Sequence, residues 1–218
     1  MITLHHLENS RSTRILWLLE ELDLDYEVTR YKRDPKTMRA PPSLKAVHPL
    51  GRSPLVSVDN QVLAESGAIL EYFCEREQRL RPHDAETLQT WRYWLHYAEG
   101  SAMPPLLVKL IFLKLRGDAV PWLIRPIARG IADTVDKTFT NGELTAHFGW
   151  VETWLSAHEH FAGDFSAADI QMSYPVEASL SRAGLEERPA TTAWLARMRA
   201  RPAYAKALEL GGPPIPGK

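Results

Sequence analysis

The chain has 218 residues, a formal net charge of −1 and a single cysteine, Cys74. The near-neutral charge creates no overall field that favours nucleic acid or an anionic membrane surface, and one cysteine excludes both an internal disulfide framework and a cysteine-rich metal site. No apolar run approaches about 18 residues and no signal-peptide pattern begins the chain, so we expect a cytoplasmic protein without a membrane span.

The first 80 residues alternate between strand and helix patterns. Short segments with strand-like alternation or β-branched content lie at 2–7, 26–31, 55–58 and 61–64. Helical apolar periods occupy 12–22 and 66–77. Asp59-Asn60 is a two-residue hairpin signal between the last two strands. The predicted order is therefore β-α-β, then a loop or short helix over 33–49, then β-β-α.

The second half of the chain has helical periods and no strand alternation. A charged stretch at 75–84 is typical of a linker, and it divides a predicted domain 1–80 from a predicted all-helical domain 86–210. The first helical segment is interrupted near Met103-Pro104-Pro105. Helices are predicted at 86–115, 122–139, 143–160, 166–182, 191–201 and 203–210.

One helix start is marked by a capping signal. Ser166 is followed three residues later by Asp169, the spacing of a capping box. Phe165 and Ile170 stand where a hydrophobic staple requires apolar side chains. We interpret this motif as a folding signal, not a catalytic one.

Two motifs in the first half point to a ligand. Ser53-Pro54 opens a strand, where a cis proline bond makes a tight turn and frees the backbone of the preceding residue for a ligand. Glu65-Ser66 begins a helix and offers a carboxylate for an ammonium group, and a hydroxyl with helix-terminal amides for a carboxylate. The combination suggests an extended, zwitterionic peptide, and glutathione is such a ligand.

Taken with the order of elements, these motifs resemble the cytosolic glutathione S-transferase family over nearly the whole chain. The start at 10–22 (SRSTRILWLLEEL), Ser53-Pro54 with Glu65-Ser66, and the cap at 165–170 carry the likeness. The segment 93–101 looks most like a bacterial and fungal branch of serine-type members. The resemblance implies a thioredoxin-like βαβαββα domain before the all-helical domain. It also implies a homodimer, detoxification, glutathione as co-substrate, and an acceptor pocket between the domains.

Such an enzyme must hold glutathione's thiol as a thiolate, although a free thiol has a pKa of about 8.5. A hydrogen bond to the sulfur contributes about 1.5–3 kcal/mol and a helix N-terminus about 0.3–1 kcal/mol, which together suffice without a side-chain base. Ser10 is the preferred donor by its spacing to Arg14 in the serine-type members. Ser12 and Asn9 are rivals, and helix capping is the alternative role for each.

The chain departs from other branches in two ways. No cysteine stands at Asn9, Ser10 or Ser12, which disfavours disulfide exchange through an enzyme thiol, and no tyrosine precedes Tyr26. Ser53 stands where relatives usually carry an apolar residue.

The remaining site residues are proposed from their positions. Lys32, His48 and Arg52 are alternatives for the glycyl carboxylate, and Arg11 and Arg14 can help to hold negative groups. A pocket for a small hydrophobic electrophile is expected at Tyr97, Ser101 and Met103. No metal ligand set is recognised.

Conjugation of glutathione to such an electrophile is the leading hypothesis. Glutathione-dependent peroxide reduction or isomerisation on the same thiolate is one alternative. A non-catalytic module that carries a ligand or serves as an assembly platform is the other, because a fold does not fix a function.

Overall fold

A four-stranded mixed sheet forms the centre of the first half of the molecule. The computed structural model describes residues 1–117, 120–183 and 188–215. The strands are β1 Ile2–Leu7, β2 Tyr26–Tyr31, β3 Leu55–Val58 and β4 Gln61–Ala64, in the order β2-β1-β3-β4. Strand β1 runs parallel to β2 and antiparallel to β3, and β3 pairs with β4 through the predicted hairpin. All four strands have the predicted bounds.

Two helices flank this sheet in the first half. Helix α1 covers Ser12–Glu21, and its residues 12–19 are all buried because the sheet lies on one side and later helices on the other. Helix α2 covers Ser66–Glu77, and a 3-10 turn at Pro42–Ala46 is the short helix that was predicted between β2 and β3. The chain therefore has the predicted thioredoxin-like half, with both helix N-termini at the same end of the sheet as Ser53.

The second half is helical in every regular element that the structure describes. The helices are α3 Ala85–Tyr97, α4 Met103–Leu115, α5 Arg125–Val135, α6 Asn141–Ala157, α7 Ala167–Ala183, α8 Pro189–Arg199 and α9 Pro202–Gly211. Within the described ranges, no helix is both long and apolar enough to cross a bilayer. The fold class predicted from the sequence, an α/β half followed by an all-helical half, is confirmed.

The predicted interruption near Met103 takes the form of a π-helical turn. This turn covers Ala98–Ala102 and joins α3 to α4. Pro104 and Pro105 lie in the first turn of α4, and neither can donate an N–H to the carbonyl four residues before it. A wider turn before them accommodates the missing hydrogen bonds. A second π-helical turn at Asp136–Thr140 joins α5 to α6, so two predicted helices are continuous there.

The two halves share one hydrophobic core. Trp17 of α1 packs edge-on against Tyr204 of α9, with ring centroids 4.9 Å apart, and lies 5.8 Å from the ring of Phe165. Helix α7 runs through the centre, and its residues from Ala167 to Ser179 are buried. Because α1 is enclosed by the sheet and by helices, the turn between β1 and α1 is anchored to a buried element.

The capping motif at the start of α7 is the centre of a larger network. The buried Asp169 carboxylate accepts hydrogen bonds from the backbone N–H of Ser166 at 3.0 Å and of Phe161 at 3.3 Å. It also accepts one from Trp194 Nε1 at 2.9 Å. The carboxylate thus fixes the loop before α7 and connects it to α8.

Candidate functional site

Two cavities meet at the Ser53–Pro54 peptide bond, which is cis. The smaller has a volume of about 210 Å³, and the larger about 470 Å³. Both are lined by Arg11, Leu50, Arg52 and Ser53. Ser53 therefore lies at the boundary between two connected binding spaces, one at the start of α2 and the other at the start of α1.

Glu65 and Ser66 line the smaller cavity, as the motif predicts for residues that meet a ligand together. Glu65 has φ 69° and ψ 123°, a strained conformation for a non-glycine residue, and such strain clusters at ligand sites. Among the described residues its carboxylate makes no hydrogen bond or ion pair, and it acts on Arg11 only through its charge. An unpaired carboxylate beside a helix N-terminus can receive an ammonium group.

The Ser66 hydroxyl is oriented by its neighbours. Its Oγ accepts hydrogen bonds from Arg14 Nη2 at 3.2 Å and from Gln171 Nε2 at 3.3 Å. Both acceptor positions of the hydroxyl are thereby used, so its own proton remains to be donated. A hydroxyl held in this way beside the α2 amides is suited to bind a carboxylate.

A charge network connects this cavity to the helical half. Glu99, in the π-helical turn after α3, accepts from Arg14 Nη2 at 2.5 Å and from Arg11 Nε at 2.8 Å. Burial alone would raise the pKa of the Glu99 carboxyl, but the Arg14 and Arg11 guanidinium groups hold that pKa below its usual value. The ionised Glu99 lines the smaller cavity and fixes both arginines.

Ser10 lies in the larger cavity, at the turn between β1 and α1. Its Oγ donates to the Leu7 carbonyl at 2.6 Å and accepts the backbone N–H of Ser12 at 3.2 Å. It also lies 3.3 Å from Ser53 Oγ. The residue predicted as thiol donor is therefore next to the residue predicted to hold the peptide backbone.

Ser12 points into the protein, away from both cavities. Its Oγ lies 2.8 Å from His6 Nδ1 and 2.8 Å from Ser10 Oγ. His6 Nε2 is 2.9 Å from the Gly211 carbonyl, which can only accept, so this nitrogen carries the proton. Burial lowers the pKa of His6, and in the neutral ring Nδ1 accepts the proton of Ser12. The Ser12 hydroxyl is thus committed to the histidine.

Asn9 lines the larger cavity together with Ser10. Its backbone has φ 50°, a left-handed conformation that asparagine tolerates, and its carbonyl accepts from Arg33 Nη2 at 3.1 Å. Of the three thiol-donor candidates, the structure brings Ser10 and Asn9 to the cavity surface and leaves Ser12 behind them.

The free energy of unfolding is expected to fall on acidification partly because of His6. Its folded pKa lies below the unfolded value of about 6.5, so the unfolded chain binds the proton first and is favoured as the pH falls through that value. Denaturant unfolding of the wild type and of His6→Asn between pH 7.5 and 5 measures this. Asparagine keeps an acceptor near Ser12, and its stability curve should be flatter. Parallel curves would contradict the assignment.

The residues predicted for the acceptor pocket line neither of the two cavities. The Tyr97 hydroxyl lies 2.7 Å from His147 Nδ1 inside the helical half, and Ser101 and Met103 follow on the same helical segment. Their role in acceptor binding stays a prediction. Tyr174 of α7 lines the larger cavity instead, with the Arg11 guanidinium 4.6 Å from its ring centroid. Nothing in the local sequence around Tyr174 signals this position.

The basic residues divide between the cavities. His48 and Arg52, two of the candidates for the glycyl carboxylate, line the smaller cavity, and Lys32 lines neither. Arg39 and Lys45 line the larger cavity and were missed. The basic composition of 33–49 was the available signal.

Neither a metal cluster nor a reactive thiol is found in the described ranges. No group of three or more His, Cys, Asp or Glu side chains there is arranged to hold a metal ion. Cys74 is fully buried in α2, and burial raises the pKa of its thiol to about 12. The Cys74 side chain is part of the hydrophobic core.

Comparison with known proteins agrees with this architecture. The model of the family described as glutathione S-transferase, N-terminal domain, matches residues 1–75. Glutathione S-transferase 1 of Saccharomyces cerevisiae is 38% identical over 222 residues, covering 96% of this chain and 94% of that protein. Glutathione S-transferase 3 of Schizosaccharomyces pombe is 36% identical, covering 96% of this chain and 87% of that protein.

A solved structure extends the likeness to three dimensions. The crystal structure of a glutathione S-transferase from Actinobacillus pleuropneumoniae has a TM-score of 0.79 and 33% identity. The match covers 97% of this chain and 93% of that one. Identity above 30% over nearly the full length, with the same fold, shows that the chain belongs to the glutathione S-transferase family of enzymes.

Proposed function

We propose that this enzyme binds glutathione across Ser53 and that the Ser10 hydroxyl stabilises its thiolate for attack on a small electrophile. The observation that carries the proposal is the position of Ser10 Oγ. It lines the larger cavity 3.3 Å from Ser53 Oγ, while Glu65 and Ser66 line the cavity on the other side of Ser53.

The two cavities suggest how glutathione lies. Its γ-glutamyl group would occupy the smaller cavity, with the ammonium at Glu65 and the α-carboxylate at Ser66 and the first amides of α2. The cysteinyl backbone would then pair with the backbone of Ser53. An extended peptide with these two fixed points directs its glycine into the larger cavity. The Arg39 and Lys45 side chains there have no ion-pair partner among the residues that the structure describes.

The thiol would then lie near the start of α1. Ser10 has one proton, shared in this structure with the Leu7 carbonyl, and a thiolate is a stronger acceptor than a neutral carbonyl. The Ser10 oxygen accepts the Ser12 backbone N–H through a lone pair. The Ser10 O–H can therefore rotate from the Leu7 carbonyl towards the thiolate. Ser12 itself is a weaker candidate because His6 holds its proton. Asn9 remains the alternative donor.

The proposal is tested by titrating glutathione into the protein calorimetrically and recording thiolate absorbance against pH. Binding in the micromolar-to-millimolar range, with a thiol pKa about two units below 8.5, supports a transferase site. The absence of binding would favour a non-catalytic module. Assays with a chloronitrobenzene, a hydroperoxide and an isomerisable acceptor then separate conjugation from the two alternative activities.

Glu65→Gln is expected to raise the KM for glutathione about tenfold or more. The substitution keeps the shape of the side chain but removes the carboxylate charge that, unlike that of Glu99 in the same cavity, is not paired with an arginine among the described residues. Such charged hydrogen bonds contribute about 1.5–3 kcal/mol. Initial rates at varied glutathione concentration measure the effect. Glu77→Gln, at the exposed end of the same helix, is the matched control. An unchanged KM in Glu65→Gln would place the ammonium elsewhere.

The proposal also includes a homodimer, a cytoplasmic location and membership of the serine-type branch. Size-exclusion chromatography with light scattering measures the first directly. A mass of twice the 24.7 kDa chain is expected.

A further inference from the structure

The larger cavity has an unusual charge distribution. Its lining includes five cationic side chains and, among the described residues, no carboxylate: Arg11, Arg33, Arg39, Lys45 and Arg52. A pocket for a purely hydrophobic acceptor would desolvate these charges without compensation, which is unfavourable. The charge therefore indicates an anionic occupant.

Glutathione accounts for only part of this charge. In the proposed pose its α-carboxylate lies in the other cavity, so one carboxylate, that of glycine, enters the larger one. A carboxylate has two oxygens and is fully bound by one or two cations. Arg39 and Lys45 have no hydrogen bond or ion pair from their side chains within the described ranges, and they are sufficient for this group.

Three cations remain. Arg52 also lines the smaller cavity and is itself a candidate for the glycyl carboxylate, while Arg11 and Arg33 line the larger cavity together with Ser10. Arg33 donates from Nε to the Glu8 carbonyl at 3.0 Å and from Nη2 to the Asn9 carbonyl at 3.1 Å. Its Nη1 donates to the Met38 carbonyl at 2.9 Å. These acceptors are neutral, so they orient the guanidinium beside the β1–α1 turn without cancelling its charge. The Glu8 carboxylate accepts the Arg33 backbone N–H at 2.8 Å and does not line the cavity.

Arg11 follows Ser10 in the chain and is held by contacts with the helical half. Its guanidinium lies over the Tyr174 ring and pairs with Glu99, which also neutralises Arg14. Glu65 also acts on Arg11 through its charge, but in the proposed pose Glu65 is paired with the ammonium group of glutathione. Glu99 alone then serves two arginines, and a net positive charge remains. Side chains fixed by such contacts bind an anion with little loss of conformational entropy.

We propose that the acceptor of this enzyme carries an anionic group, such as a carboxylate, which Arg11 and Arg33 bind beside the Ser10-held thiolate. The inference rests on the proposed function and narrows its substrate class. Tyr174, Leu7 and Met38 supply the apolar part of the wall. The occupant that fits is therefore a small aromatic or unsaturated electrophile bearing a negative charge, which narrows the small hydrophobic electrophile expected from the sequence.

The test compares 4-chloro-3,5-dinitrobenzoate with its neutral carboxamide. In both reactions the thiolate sulfur forms a bond to the chlorinated carbon and chloride leaves with the bonding electron pair, the thiol proton having gone to solvent. Each kcat/KM is divided by the uncatalysed rate constant with glutathione. We expect the benzoate to be preferred at least tenfold at low ionic strength. Near 1 M salt, where the Debye length is about 3 Å, the preference should fall towards one.

Substitutions test which residues bind the anionic group of the acceptor. Arg11→Gln and Arg33→Gln should each lower the preference at least threefold. Arg39→Gln should raise the KM for glutathione and leave the preference unchanged. Lys137→Gln removes an exposed charge that lines neither cavity, and it should alter neither quantity. If Arg33→Gln does not fold, Arg11→Gln decides.

The preference for an anionic group can also be measured by binding, without turnover. The glutathione conjugates of the benzoate and of the carboxamide can be titrated calorimetrically, with tighter binding of the benzoate conjugate expected. Equal or weaker binding, or a wild-type kcat/KM ratio at or below one, overturns the anionic-acceptor inference while the transferase proposal survives. Failure of the protein to bind glutathione at all overturns the proposed function instead.

Discussion

Replacing Ser10 with alanine is expected to raise the pKa of the bound glutathione thiol by about one to two units. A hydrogen bond to a charged group contributes about 1.5–3 kcal/mol, and one pKa unit corresponds to about 1.36 kcal/mol. The thiolate fraction near pH 6.5 should fall correspondingly, and kcat/KM should decrease about 10- to 100-fold. Glutathione affinity should change little, since Ser53, Glu65 and Ser66 are untouched. Ultraviolet absorbance of the thiolate against pH measures the shift.

Two substitutions in the same turn distinguish Ser10 from the rival donors. Ser12→Ala removes a hydroxyl whose proton is held by His6, so the thiol pKa should stay close to that of the wild type. Asn9→Ala removes a side chain at the cavity surface. If the pKa rises in Asn9→Ala and not in Ser10→Ala, the thiolate mechanism stands and the donor is Asn9.

Replacing Asp169 with alanine is expected to lower the free energy of unfolding by about 3–5 kcal/mol. The carboxylate is completely buried and accepts from two backbone N–H groups and the Trp194 indole. Its removal leaves these three donors buried without a partner, and each such group costs about 1–3 kcal/mol, reduced by relaxation of the loop. Urea unfolding at pH 7, followed by fluorescence and circular dichroism, measures the loss.

Ser166→Ala separates the cap from the network. It removes the hydroxyl at the cap but keeps the Asp169 carboxylate and its backbone partners, so a loss of about 1 kcal/mol is expected. Similar losses in the two variants would show that Asp169 acts only as an ordinary helix cap. Asp169→Asn should fall between them, because one acceptor oxygen is retained.

Much of the fold was predictable because its signals are local. Alternation and helical period give β1 to β4 and α2 at the predicted bounds, and α1 to within one residue at its end. Asp59-Asn60 gives the hairpin. The break before α4 was predictable in place but not in form. Whether a proline pair produces a kink, a loop or a π-helical turn depends on what the neighbouring helices allow.

The candidate site, like the fold, was predictable only in part. Ser53-Pro54 and Glu65-Ser66 were recognisable because short motifs determine the backbone geometry at the first pair and the helix-terminal chemistry at the second. Only the structure shows that Ser66 accepts hydrogen bonds from both Arg14 and Gln171, and that the Glu65 carboxylate has no partner within the described part of the chain. The choice between Ser10 and Ser12 likewise depends on His6 and on the Gly211 carbonyl more than 200 residues along the chain.

By itself, then, the sequence determined the order of elements, the thioredoxin-like half, the cap and the two motifs that suggest a ligand, since each is set by residues close together in the chain. Only the tertiary structure decided which side chains share a cavity. Tyr174 reaches Arg11 because α7 packs on α1, and Arg33 reaches Asn9 because β2 pairs with β1. The net charge of an acceptor pocket depends on residues that are far apart in the sequence and are brought together by the fold. It therefore cannot be predicted from a local sequence pattern.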